Sequence, residues 1–379
     1  MVAHHQMKQR KTSVQSLEDR HMFAGNIFAN LVGTDLSLGG DAADNQVEIT
    51  EIAPNSIQVT GLAGTTINGA ASQVFTASLI ENIFVQTAAG NDEVIVKNVT
   101  LTDTAFGNLK ISTSAGDDHV VLDRVLTTES IGIDAGDHND RIEAVMSGTR
   151  GIWYTNAGNG HDQVRMQDVS ATDMKVEGQD GNDNLYITAA RIRNDLKVNT
   201  HTENDTVRLD GVFAGNDVLV RTEQGRDRVK LRRVHAGNDV SLETGTESDF
   251  AIFNQVGARH DVFANMGTND DLLVMTRVKA LNHLDVTTED GNDRVYIWRA
   301  KANDVHIETG NGNDYVRMNN VRAANDLHVM LDDGQDVLRI SNSSAGNPFF
   351  DGGAGTDTLY DLPNAFDEVA ASVNFEAII

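Results

Sequence analysis

Residues 204–227 read NDTVRLDGVFAGNDVLVRTEQGRD, and residues 292–314 read NDRVYIWRAKANDVHIETGNGND. The two align along their length with one gap, and the alignment extends in both directions. An Asp-x-apolar signal falls at Asp92, Asp118, Asp140, Asp162, Asp183, Asp205, Asp227, Asp249, Asp270, Asp293, Asp314, Asp336 and Asp357. After a first step of 26 residues, every step is 21 to 23. That period is too short for tetratricopeptide, ankyrin or propeller repeats, and no leucine-rich consensus or helical stretch fills it.

Within each unit the apolar positions alternate with polar ones, as strands require. Val207, Leu209, Val212, Ala214, Val218, Val220 and Thr222 are expected to face inward, with Arg208, Phe213, Leu219 and Arg221 outward. The inward columns return one period later as Val229, Leu231, Val234, Ala236, Val240, Leu242 and Thr244. Ala214, Ala236, Ala258, Ala280, Ala302 and Ala324 form a 22-residue series that suggests a corner where only a small side chain fits. The pattern predicts an all-β fold, a right-handed parallel β-helix or β-solenoid. About 13 coils at roughly 4.8 Å per step make a rod on the order of 60 Å long.

Composition agrees with this reading and limits the partners. The chain has 379 residues, no cysteine, three prolines, 5% aromatic residues and a formal net charge of −26. Small branched side chains suit short strands. Excess carboxylate repels nucleic acid and anionic membrane surfaces and attracts cations. Without cysteine there is no disulfide, thiolate nucleophile or thiolate metal site, which leaves hard, oxygen-ligated cations. No run approaches the roughly 18 apolar residues of a membrane span.

The organisation along the chain follows from where the period holds. Residues 1–26 form an N-terminal targeting or disordered segment with a basic start at Lys8, Arg10 and Lys11, and 27–83 read as a β cap lacking the period. Residues 84–345 carry the solenoid repeats, and 346–379 a C-terminal coil and cap. Caps are expected because an open solenoid end invites edge-to-edge pairing.

Each coil turns just before its aspartate through a Gly- and Asn-rich stretch. The clearest copy is GGAGTDTLY at 352–360, with Gly158-Asn-Gly160-His-Asp162 and Gly310-Asn-Gly312-Asn-Asp314 close behind. These residues resemble the hemolysin-type, or repeats-in-toxin, calcium repeat G-G-x-G-x-D-x-U-x. In that family, turns stacked along one edge of a parallel β-roll hold Ca²⁺ between successive coils through aspartate carboxylates and backbone carbonyls. The resemblance therefore implies Ca²⁺ at Gly158, Gly160 and Asp162, at Gly310, Gly312 and Asp314, and at Gly352, Gly353, Gly355 and Asp357. Looser matches are Gly181 with Asp183 and Gly291 with Asp293.

The chain departs from the family in its 22-residue coil and in its second edge, which carries Asn216-Asp217, Asn238-Asp239, Asn303-Asp304 and Asn325-Asp326 without the glycines. Turns at 201–205 and 245–249 lack the motif and are expected to interrupt any row of ions. Leu17-Glu18-Asp19-Arg20-His21-Met22-Phe23 resembles the LEPR-x-L-L motif near the start of large bacterial surface and secreted proteins, which implies an extracellular or cell-surface location.

Identical aspartates one coil apart lie roughly 5 Å from each other, where like charges repel. A cation would neutralise them. The alternative is that Asx turns and asparagine ladders hold the aspartates while Arg141, Arg228 and Arg294 supply opposite charge.

Other sites are weaker candidates. The outward column Glu143, Arg165, Tyr186, Arg208 and Lys230 is the patch on which a polysaccharide lyase or epimerase would be built, although Glu143 and Arg165 read equally as a cross-coil ion pair. Tyr296, Trp298 and Arg299 are placed to stack on a sugar or to anchor a protein partner. Thr200, Thr222, Thr244, Thr288 and Thr309 read as a corner ladder. The twelve histidines show no zinc-like spacing, and His306 and His328 read as an outward column. The reading is a non-catalytic, secreted or cell-surface solenoid with a structural or adhesive role, Ca²⁺ in its turns, and a glycan or protein surface as candidate partner. The alternatives are a carbohydrate-active β-helix enzyme and a metal-free structural solenoid.

Overall fold

The computed structural model describes residues 25–102, 106–361 and 372–379. The basic start and the segment Leu17–Phe23 lie outside the described residues. Among those described there is no helix, and parallel strands stack coil upon coil as a β-solenoid with a period of about 22 residues. No helix is long and apolar enough to cross a membrane.

One coil shows how the sequence makes the shape. Thr206–Asp210 lies on face A, Phe213–Ala214 on the narrow face B and Val218–Arg221 on face C. Each strand pairs in register with its equivalent one coil on, Val207 with Val229, Ala214 with Ala236 and Val220 with Leu242. Parallel strands alternate in and out, so Val207, Leu209, Val218 and Val220 are buried together with Val212 and Ala214. Full burial of one such valine stabilises by about 1.5–3 kcal/mol relative to exposure.

The corner between faces A and B is made by one residue in the left-handed region: Gly211 at φ 68°, Asn98 at 51° and Asn320 at 58°. Glycine and asparagine enter that region most easily. The small-residue corner continues from Ala214 to Ala302 as expected, but its next member is Ala323. Ala324 is exposed. The last step is 21 residues because this coil is one residue shorter, and a series read at a fixed interval overshoots it.

Both ends are closed by further strands. Asn26–Val32 pairs antiparallel with Asp35–Gly39, and Gln46–Ala53, Ser56–Gly61 and Ser72–Thr76 form an antiparallel meander. Asp35–Gly39 and Gln46–Ala53 then offer parallel edges to Asn82–Gln86 and Glu93–Lys97, the first strands of the regular stack. At the other end Asn347–Asp351 and Thr358–Asp361 continue the parallel stack, and Ser372–Val373 and Ala377–Ile378 pair upon them.

The packing at the small corner is directly testable. Ala236 is buried between Ala214 and Ala258. Ala236→Leu overfills the space and is expected to cost about 1–3 kcal/mol, read as a lower urea midpoint. The same change at exposed Ala324 is expected to leave the midpoint unmoved.

Candidate metal-binding edge

The return from face C to face A is a six-residue turn with a fixed backbone. Its second and fourth residues take positive φ in nearly every coil: Gly158 and Gly160 at 102° and 151°, Gly310 and Gly312 at 78° and 148°, Gly353 and Gly355 at 83° and 158°. The conformation is not confined to glycine. Gln179 and Glu289 take the second place at 75° and 58°, and in the turn at 201–205 His201 and Glu203 occupy both places at 66° and 74°. The turns at 201–205 and 245–249 therefore share the backbone of the rest, although they lack the full motif: Gly245 and Glu247 take 99° and 68°.

The sixth residue is the aspartate, and its side chain points inward. Asp92, Asp118, Asp140, Asp162, Asp183, Asp205, Asp227, Asp249, Asp271, Asp293, Asp314, Asp336 and Asp357 are all buried. The ladder member in its coil is Asp271, not Asp270. Asp270 is exposed and takes hydrogen bonds from the Asn292 backbone and side chain.

Each ladder carboxylate caps the coil before it. The Asp205 N–H donates to Asp227 Oδ1 at 2.8 Å, the Asp227 N–H to Asp249 Oδ1 at 2.7 Å, and the Asp162 N–H to Asp183 Oδ1 at 2.9 Å. The chain of bonds is continuous. It starts at the Asn45 N–H, which donates to Asp92 Oδ1, and ends at the Asp357 N–H, which donates to Glu376 Oε2.

The bonds do not use the second carboxylate oxygen. Oδ2 is buried and lacks a hydrogen-bond partner in all thirteen ladder aspartates. A buried ionised oxygen with nothing opposite it is costly. Burial accordingly pushes these carboxyl groups up, to about 9 at Asp183 and Asp271, about 8 at Asp140 and Asp205, and about 7 at Asp162 and Asp293. The accepted N–H pulls each one partly back, and neighbouring carboxylates such as Glu203 beside Asp183 push further.

A threonine at the first residue of the turn eases the carboxyl beside it but does not by itself fix the outcome, since Asp205 beside Thr200 still rises to about 8. Thr222 and Thr309 are buried beside Asp227 and Asp314, whose pKa values rise only to about 6. Their hydroxyls donate to the Thr244 and Leu331 carbonyls one coil on, and their dipoles still favour the adjacent carboxylate. The threonine series is thus a buried ladder. At Asp162, Asp183 and Asp357 the first residue is Ala157, Gly178 or Gly352, with no hydroxyl. A Cβ added to Gly178 would sit 2.2 Å from Asp183 Oδ2, so any larger residue there requires that carboxylate to shift.

The five nominated aspartates and their glycines therefore fall on one edge, within a ladder of thirteen. The available donors are hard oxygens, the class that Ca²⁺ takes. The free Oδ2 is where a cation or a proton is required. Among the five nominated aspartates, Asp162, Asp183 and Asp357 have no threonine hydroxyl in the turn, a feature that Asp140, Asp271 and Asp336 share. The expected arginine partners do not reach the ladder. Arg141 pairs with Glu143 on its own strand, and neither Arg228 nor Arg294 forms an ion pair among the described residues.

The remaining candidates resolve as follows. Glu143, Arg165, Tyr186, Arg208 and Lys230 do form one outward column. Arg165 lies 5.9 Å from the Tyr186 ring rather than pairing with Glu143. Tyr296 and Trp298 stack at 5.5 Å, and His306 stacks on His328 at 5.2 Å.

The second edge holds a cluster that local spacing concealed, because its members are 21 or 22 residues apart. Asp261 Oδ2 lies 2.8 Å from His260 Nδ1 and Asp261 Oδ1 3.1 Å from His283 Nδ1, with Asp239 Oδ1 3.2 Å from His260 Nδ1. His260 stands in the row of Asn216 and Asn238, and His283 in the row of Asp217 and Asp239. The two imidazoles thus extend the hydrogen-bonded rows of that edge.

The ladder predicts different outcomes for two substitutions. Asp227→Ala removes the acceptor from the Asp205 N–H and is expected to cost about 1–3 kcal/mol. Asp227→Asn keeps an acceptor and removes the charge, so it is expected to destabilise far less and to gain on the parent as pH rises. Urea midpoints of both variants at pH 5 and pH 9 check this. Compared with models of protein families, with curated proteins and with solved structures, the chain has no match.

Proposed function

We propose that this chain is a non-catalytic β-solenoid with a structural or adhesive role outside the cell or on its surface, and that its aspartate edge binds Ca²⁺. The observation that carries the reading is the row of buried Oδ2 atoms without partners. Asp162, Asp183 and Asp357 would hold the ion with carbonyls of their turns, and Asp293 and Asp314 form the second group. When bound, calcium supplies positive charge and oxygen coordination between coils that otherwise repel. The chain's own residues supply the rest: the positive-φ turn holds the carboxylate inward, and the cross-coil N–H fixes Oδ1 so that only Oδ2 is free.

The solenoid scaffold supports a structural role because the coils are close to uniform. No long loop interrupts faces A and C to build a catalytic pocket among the described residues. The extracellular location rests on the resemblance to secreted repeat proteins and on the high free calcium that such turns need.

Protons and calcium would compete for the same oxygens, which gives the test. Folded-state carboxyl pKa values of about 6 to 9 exceed the ordinary value near 3.9. The proton-held stability is therefore fully present below about pH 4 and is lost as pH rises toward about 9. In chelator the melting temperature is expected to fall across that interval. Calcium is expected to raise it, by more at pH 8 than at pH 5, with magnesium ineffective and protons released on titration. Calcium dependence should weaken in Asp162→Asn with Asp183→Asn. A melting profile that falls with pH and ignores calcium would sink the calcium assignment and leave a solenoid held by protonated aspartates.

A further inference from the structure

Face B carries a charge opposite to that of the chain. Its corner, short strand and following residue occupy 146–150, 168–172, 189–193, 211–215, 233–237, 255–259, 277–281, 299–303 and 320–324. These segments contain ten Lys or Arg and one acid, Asp168, in a chain with 30 basic and 56 acidic residues. All ten cations are exposed. Arg233 is held by Asp210, and the other nine form no ion pair among the described residues.

The arrangement works against stability in two ways. Lys279, Lys301 and Arg322 are direct neighbours on successive coils, so like charges stack at roughly 4.8 Å. The corner column adds Arg277 and Arg299, both at positive φ, 59° and 61°, where Asn320, Asn342 and Gly211 serve elsewhere in the same column. Arginine does nothing for that turn that asparagine would not do better. Acids to neutralise these cations are abundant in the chain, yet this face holds only Asp168.

We infer that face B is a binding strip for a linear acidic polysaccharide, one bearing carboxylate or sulfate groups, which runs along the solenoid axis. An extended sugar chain advances by about one ring per coil step of roughly 4.8 Å, so its charges match the column one for one. Two shallow grooves on the face, of about 1020 and 740 Å³, meet at exposed Phe213, whose ring offers an apolar surface to the hydrogens of a sugar. Arg191 and Arg193 line the first groove, and Arg277 and Lys279 the second. Single-stranded nucleic acid is disfavoured because it binds through a series of stacking aromatics, and these grooves offer only Phe213 and the neighbouring imidazole of His235. The inference goes beyond the calcium reading and does not depend on it.

The test uses the full chain at one fixed calcium concentration, with oligogalacturonate of defined length and oligo(dT) of equal charge as probes. Binding to the sugar is expected at low salt, weakening steeply as salt rises. The variant Arg277→Asn, Lys279→Ser, Lys301→Ser is expected to bind at least about tenfold more weakly with a shallower salt slope. Its melting temperature should equal or exceed the parent's, since each change relieves repulsion or backbone strain. Arg294→Ser with Arg317→Ser, on face A, should leave affinity unchanged. Tighter binding of oligo(dT), equal affinity of the face B variant and its parent, or no binding of the sugar at low salt would each overturn the assignment.

Discussion

Everything in this rod depends on one repeated hydrogen bond, from the backbone N–H of one ladder aspartate to Oδ1 of the next. A parallel stack has ladder hydrogen bonds along its flat faces, but a turn with two positive-φ residues leaves an N–H where no carbonyl of the neighbouring coil reaches. An inward carboxylate fills that gap at the cost of a second buried oxygen. The turn geometry, the raised pKa values and the need for a neutralising proton or cation all descend from this choice.

The same logic explains the threonines. Where Thr222, Thr244 or Thr309 opens the turn, its hydroxyl bonds to the next coil and eases the adjacent carboxyl. Where Ala157 or Gly178 opens it, the carboxyl is left to find its neutralisation elsewhere. Variation at one small position thus changes how far each carboxyl is eased, alongside burial and the neighbouring carboxylates. The outer edge of the turn is also tied coil to coil: Asn204 Oδ1 accepts the Arg226 N–H and Asn292 Oδ1 the Asn313 N–H.

The solenoid separates its charges by face. Acids gather inside the turn and along the second edge, while face B carries unpaired arginines and lysines. In a globular fold such groups would tend to pair, but most residues on different faces of a stacked coil are held apart by the core, and only at the corner does Arg233 reach Asp210. A uniform scaffold therefore gives each face its own electrostatic character at little cost to packing.

The periodic aspartates and the columns Val207, Leu209, Val218 and Val220 determined the class of fold without reference to coordinates, because a two-residue alternation inside a 22-residue repeat has one compact solution. That the nominated aspartates share one edge was legible for the same reason, and most of their glycines stand at positive φ. What remained hidden depended on register between coils. Asp271 rather than Asp270 enters the ladder, Ala323 rather than Ala324 fills the corner, and His201 or Glu247 adopts a glycine-like turn because neighbouring coils impose it. His260, Asp261 and His283 meet, and Lys279, Lys301 and Arg322 line up, only when residues 21 or 22 apart are stacked. Local sequence set the conformation of each strand and most turns; only the stacking of coils decided which charges would be buried, paired or left facing solvent.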